Sequence, residues 1–219
     1  MAKRVVVINP NCTAIVTEAI SESVDVYRGQ DARIDCVTLE AGPPAVSSYF
    51  DRSNVAAPLR EVIERETGAD AFVIACFGDP SVLAMREVAR VPVLGMAESS
   101  FYIAMSVADM FGIISTTENA TRRHHRQVRE LGIQSRFAGD TSIGMTILDL
   151  RNDEEATFER LMDAATRLRQ AGAGAFITGC AGMAVFRERL ERELGLPVIE
   201  PAQAGVTLAL GIAAMSTRR

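Results

Sequence analysis

The chain has 219 residues, 48% hydrophobic and 23% charged, with a formal net charge of −5. That composition supplies a sizeable core and excludes a disordered chain, and the acidic balance argues against a nucleic-acid partner. No run reaches the ~18 apolar residues of a membrane span; the apolar stretch from Val206 to Met215 is too short.

Met1-Ala2-Lys3-Arg4 opens onto an apolar run that stops at Asn9-Pro10-Asn11. It is too short for a signal peptide core and reads as a strand over Arg4–Ile8, so a cytoplasmic location is expected. Ala14–Tyr27 reads as a helix and Arg33–Leu39 as a strand. Residues 40–53, with Gly42-Pro43-Pro44, read as a loop over the site that sets selectivity. Then come a helix at Val55–Thr67, a strand at Ala71–Cys76, a helix at Pro80–Ala89 and a short strand at Val91–Gly95. The alternation restarts with a helix at Glu98–Asp109, a strand at Phe111–Ser115 and a helix at Glu118–Leu131. Thr146–Leu150 is a candidate strand, followed by a helix at Asp153–Ala171, a strand at Ala175–Thr178 and a helix at Ala184–Leu194. A strand at Pro197–Ile199 and a helix at Ala204–Met215 close the chain. Apolar strands between amphipathic helices predict an α/β fold of parallel sheets with helices on both faces.

An internal repeat sharpens this reading. Gly68-Ala69-Asp70-Ala71-Phe72-Val73-Ile74-Ala75-Cys76-Phe77-Gly78 aligns without gaps on Gly172-Ala173-Gly174-Ala175-Phe176-Ile177-Thr178-Gly179-Cys180-Ala181-Gly182. Val91-Pro92-Val93-Leu94 follows the first copy much as Leu196-Pro197-Val198-Ile199 follows the second. Ile8-Asn9-Pro10-Asn11 likewise matches Ile114-Ser115-Thr116-Thr117. The chain therefore reads as two pseudo-symmetric lobes, with a site in the cleft between them.

The four cysteines, Cys12, Cys36, Cys76 and Cys180, have neither zinc nor C-x-x-C spacing. Cys76 and Cys180 each end an apolar strand before a glycine-containing turn, where open α/β sheets bind ligands. A thiolate there should be favoured by the following helix N-terminus. Two such thiols on opposite sides of one carbon suit racemisation: one removes a proton, the other returns one to the far face. Backbone N–H groups of Phe77-Gly78-Asp79 and Ala181-Gly182-Met183 are candidates to hold the enolate-like oxygen. Gly179, Asn11, Thr13, Ser115, Thr116 and Thr117 complete the candidate substrate contacts. Asp79, before Pro80, also suits a cap on its own helix. Cys36 reads as a core residue, and Cys12 as a helix-start residue near the pocket. His124 and His125 point about 100° apart on a helix and cannot chelate one ion, so no metal is expected. The run Arg122-Arg123-His124-His125-Arg126 reads as a solvated face.

The segments Asn9-Pro10-Asn11-Cys12-Thr13, Cys76-Phe77-Gly78-Asp79-Pro80 and Gly179-Cys180-Ala181-Gly182-Met183 resemble the aspartate/glutamate/hydantoin racemase superfamily, most closely its hydantoin racemase branch. The resemblance covers essentially the whole chain. It implies cofactor independence, a homo-oligomer, and a C-terminal helix that returns to the first lobe. The expected lobes are then residues 1–96 with 201–219, and 97–200. A 5-substituted hydantoin or allantoin is the implied small-molecule substrate. Cys12 stands where relatives usually have Ser or Thr, and Glu200-Pro201 where they have Asp-Gly. The absence of Arg or Lys from the strand-end motifs argues against an aspartate or glutamate racemase. That activity and a maleate cis-trans isomerase remain alternatives, while Cys76 argues against an arylmalonate decarboxylase. Alternatives of other classes are a non-catalytic two-lobed binding protein and a redox dithiol.

Overall fold

The computed structural model describes residues 2–146 and 149–215. The chain divides into two compact units: the described residues of Met1–Ser99 and Ala202–Arg219, and Ser100–Pro201.

The first unit holds β1 (Lys3–Asn9), α1 (Ala14–Ser23), β2 (Ala32–Thr38), α2 (Tyr49–Asn54), α3 (Ala56–Arg65), β3 (Ala71–Ile74), α4 (Val82–Val88), β4 (Val93–Gly95) and the start of α5 (Met96–Val107). Its four strands are parallel, in the order β2-β1-β3-β4. Side chains alternate across a strand. On one face Val6, Ile8, Phe72 and Ile74 pack with Leu59 and Val62 of α3 and with Val82 and Met85 of α4. On the other, Val73 meets Gly205 of α9 (Pro201–Ala214), where a Cβ on the glycine would stand 2.6 Å from Val73 Cγ1. Two further bonds hold α9 to this unit: Tyr27 Oη to Thr207 Oγ1 at 2.8 Å, and Gln203 Nε2 donating to the Ser23 carbonyl at 2.9 Å.

The second unit holds β5 (Phe111–Ser115), α6 (Glu118–Glu130), β6 (Phe137–Ser142), α7 (Glu154–Gln170), β7 (Ala175–Thr178), α8 (Arg187–Leu194) and β8 (Val198–Ile199). Its parallel sheet runs β6-β5-β7-β8, the same order as in the first unit. Ile114 and Phe176 pack with Phe158, Leu161 and Leu168 of α7 and with Leu190 of α8. Ser115, on the other face, meets His124 of α6. One backbone bond repeats at matching positions: Ala75 N–H to the Ile8 carbonyl at 2.8 Å, and Gly179 N–H to the Ile114 carbonyl at 2.9 Å.

Several elements differ from the sequence reading. Within 40–53, Ser48 and Asp51 form a reciprocal capping box that starts α2. The edge strand of the second sheet is Phe137–Ser142, whose residues are all half-buried and carry no apolar run to reveal it. The candidate strand Thr146–Leu150 lies partly outside the described residues, and Asp149–Arg151 forms a 3-10 turn. The helix at Ala184–Leu194 divides into a 3-10 segment, Ala181–Phe186, and then α8. The basic run on α6 is not wholly solvated: Ala120, His124 and Val128, four residues apart, turn into the core.

Candidate active site

In the first unit β1 and β3 are neighbours, so the segments carrying Asn11 and Cys76 leave adjacent strand ends. Asn11 Oδ1 accepts the Thr13 N–H at 2.9 Å, and Asn9 Nδ2 donates to it at 3.1 Å. The Thr13 hydroxyl donates to the Pro44 carbonyl at 2.8 Å, and Cys12 N–H to the Pro43 carbonyl at 3.0 Å. Gly42 has to be glycine: a Cβ there would lie 2.7 Å from the Pro10 carbonyl oxygen. The first strand-end segment is thus laced to the 42–44 loop.

The turn after β3 is tight. Cys76 and Phe77 are half-buried, and the Asp79 N–H returns to the Cys76 carbonyl at 2.9 Å. Gly78 (φ 143°), Asp79 (φ 51°) and Ser81 (φ 60°) all have positive φ, a conformation that costs the last two free energy. Asp79 does not cap its own helix. Its Oδ1 and Oδ2 each accept at 2.8 Å from the N–H groups of Ala97 and Glu98, at the start of α5. Burial pushes the Asp79 carboxyl up to about 7; the Glu98 charge adds to this, against those two N–H groups and Arg52. Gly95 makes room for it, since any Cβ there would run into the carboxyl group.

In the second unit β5 and β7 bring Ser115 and Cys180 to adjacent strand ends. The Met183 N–H returns to the Cys180 carbonyl at 3.0 Å, as Asp79 does to Cys76. Cys180 is half-buried and packs on the core of its unit. Its thiol is not lowered by the helix that follows. Burial pushes it up to about 11, the Glu200 charge works in the same direction, and the Gly182 N–H alone favours the thiolate. The segment after it, Ala181–Phe186, is 3-10, and an α-helix begins only at Arg187.

Ser115 is fully buried, which removes its hydroxyl from substrate contact. It donates to Asp140 Oδ2 at 2.8 Å and lies 3.0 Å from His124 Nδ1, itself 2.7 Å from Asp140 Oδ2. Ser115 and the imidazole Nδ1 thus converge on the same Asp140 oxygen, forming a buried polar cluster. It underlies the second cysteine turn, for a Cβ on Gly179 would sit 3.5 Å from His124 Cε1. Thr117 caps α6 by accepting the Ala120 N–H. Thr116 and Gly182 are half-buried, the former accepting the Met145 N–H at its carbonyl. Sequence reading missed this cluster because Asp140 lies in the unread strand β6. It also missed Gly95, whose role depends on a contact 16 positions from Asp79.

The other thiols differ in setting. Cys12 is exposed, while Cys36 is half-buried rather than core, with Arg28 Nη2 3.8 Å from its sulfur. Burial raises the Cys36 thiol, opposed by Ser21 and Arg28. Among the described residues no three His, Cys, Asp or Glu side chains are grouped to hold a metal ion. Nor is any helix among them long and apolar enough to cross a membrane.

The Asp/Glu/Hydantoin racemase family model matches residues 5–209. A hydantoin racemase from Pseudomonas sp. strain NS671 is 38% identical over 94% of this chain and 84% of its own length. One from Paenarthrobacter aurescens is 33% identical over 97% of this chain and 92% of its own. The solved allantoin racemase from Klebsiella pneumoniae superposes with a TM-score of 0.90 at 34% identity, over 99% of this chain and 90% of that one. With paired strand-end cysteines on a repeated α/β lobe, the chain belongs to the Asp/Glu/hydantoin racemase family and is an isomerase of the racemase type.

Proposed function

We propose that the protein interconverts the enantiomers of a 5-substituted hydantoin or of allantoin, without a cofactor, by 1,1-proton transfer between Cys76 and Cys180. The observation that carries this reading is the equivalence of the two cysteines. Each lies two residues past the third strand of an identically ordered sheet, and each accepts the N–H three residues on at its carbonyl. In the proposed complex the two turns flank C5 of the ring. The relatives' substrates support the hydantoin class.

Cys180, held as a thiol by burial and by Glu200, is the proton donor of the resting enzyme, and Cys76 is the base. The Cys76 thiolate takes the C5 hydrogen, and the electron pair of the C–H bond moves onto the adjacent carbonyl oxygen. Cys180 then gives its proton to the opposite face of C5, leaving Cys76 protonated and Cys180 as thiolate, ready for the other enantiomer. The N–H groups of Asp79 and Met183 are engaged within their turns, so we assign the enolate oxygen to Gly78 and Ala181. Asn11 and Thr116 then read the ring's amide edges. By family resemblance we also expect a homo-oligomer in the cytoplasm.

The test is a chiral 5-substituted hydantoin in heavy water. Loss of optical rotation together with deuterium entry at C5, both unaffected by EDTA, is the expected result. A binding protein would produce neither change. A redox dithiol would instead form a Cys76–Cys180 disulfide under mild oxidation, visible as a loss of two mass units.

A further inference from the structure

The sequence offers no cation in the strand-end motifs, yet the fold brings one to the first cysteine turn from elsewhere. Arg52 lies on α2, a helix fixed by its capping box: Asp51 accepts from Ser47 N at 3.0 Å and Ser48 N at 2.8 Å. The Arg52 carbonyl accepts the Ser81 hydroxyl at 3.1 Å, which fastens this helix to the turn that follows Cys76. The guanidinium extends over the Tyr49 ring, 5.4 Å from its centroid. It ends against Gly78, where an added Cβ would be 3.6 Å from Nη1 and 3.9 Å from Cζ. Its field reaches Asp79. Arg52 is half-buried.

Contrast Arg189, whose guanidinium grips Glu155 through two bonds of 2.7 Å, or Arg4, which engages Asp35 and Glu66. The described residues offer the Arg52 guanidinium no such carboxylate within ion-pair distance. Its planar fork of donors suits a carboxylate or a similar planar anion better than a point charge would. Removed in part from water and stacked beside a reactive turn, such a group gains most from an anionic ligand.

We infer that Arg52 is a specificity-determining residue that receives a carboxylate carried on the C5 substituent of the substrate. This rests on reading the Cys76 turn as part of a hydantoin-racemising site. Gly78 contributes by having no side chain, so none from that position is set against the guanidinium two residues from the thiol. A neutral alkyl substituent has nothing to offer this cation. The selectivity expected of residues 40–53 thus has a chemical agent at the end of that segment.

The experiment compares 5-carboxymethylhydantoin with 5-isobutylhydantoin, using the wild-type protein, Arg52→Ala and Arg52→Lys. Racemisation is followed by optical rotation, and binding of the carboxymethyl compound by calorimetry. Arg52→Ala is expected to lower the ratio of the two kcat/KM values about tenfold, chiefly through KM, as befits one charge-assisted contact. Arg52→Lys should restore part of the ratio. An unchanged ratio, including an equal fall on both compounds, overturns the inference. If the wild-type protein racemises neither compound, the proposed function fails, and calorimetry decides on Arg52 separately. Weaker binding in Arg52→Ala then upholds the anion contact, and equal binding overturns it.

Discussion

The two cysteine turns begin alike and then part. Both leave the third strand of a sheet ordered in the same way, and both close on the cysteine carbonyl three residues later. The first turn has positive φ at Gly78, Asp79 and Ser81 and braces α5 with the Asp79 carboxyl group. The second runs into a 3-10 segment and buries Met183 at the position equivalent to Asp79. A second exchange accompanies the first. Strand β4 ends at Gly95, against which Asp79 packs; the matching place after β8 is held by the buried carboxylate Glu200. Both lobes thus place buried acid near the last strand end: Asp79 from the turn, together with Glu98 of α5, in the first, and Glu200 in the second. The repeat preserves the location of a charge more faithfully than the residue that carries it.

The sharpest way to break this equivalence is to remove the thiols one at a time. Cys76→Ser and Cys180→Ser should each lower racemisation by on the order of 10²–10⁴-fold. Each should still exchange C5 hydrogen in heavy water from one enantiomer, and the two variants should choose opposite enantiomers, as read by NMR. Normal racemisation by both variants would dissolve the pairing.

Next comes the brace. Gly95→Ala forces a methyl group onto the Asp79 carboxyl and should destabilise the fold by ~1–3 kcal/mol in urea titrations. A neutral effect would mean that Asp79 holds nothing essential. The same brace should respond to pH. Because burial raises the Asp79 carboxyl from 3.8 to about 7, its contribution to stability is fully present below pH ~4 and is lost as pH rises through 7. Wild type should lose on the order of 4 kcal/mol to this group across that window, and Asp79→Asn should flatten that part of the profile. The smallest effect concerns the second turn. Cys180 should be alkylated by iodoacetamide more slowly than exposed Cys12 at pH 8, gaining reactivity towards pH 11. Glu200→Gln removes a charge that raises this thiol, so it should speed alkylation several-fold at fixed pH; an unchanged rate would remove Glu200 from the account.

Much of this molecule was legible beforehand because its signals are local. Phe111–Ser115 and Ala175–Thr178 are apolar runs, and the structure gives them those same bounds. The repeat announced two lobes because identical burial demands leave similar strings. What stayed hidden depended on partners distant in sequence or on polar edges. Strand β6 reads Phe-Ala-Gly-Asp-Thr-Ser, a sheet edge without apolar alternation. The cap on α5 comes from Asp79, and no local capping rule points from one to the other. Ser115 looked like a substrate contact because it ends a strand, but His124 and Asp140 draw it into the core. Cys180 looked like a thiolate because a helix was expected to start there, and burial reversed the sign. The signal for α2 was present in Ser48 and Asp51, yet the prolines before it made the whole segment read as loop.

Helix α9 has a consequence for how the protein is made. A ribosome releases the strands of the first lobe early, but the helix that covers Val73 and ties down Ser23 and Tyr27 is synthesised only after the second lobe. The second lobe, contiguous from Ser100 to Pro201, can finish folding while its predecessor still waits for that cover. A free chain truncated at residue 201 should therefore protect the later lobe from protease and leave the earlier one open to it.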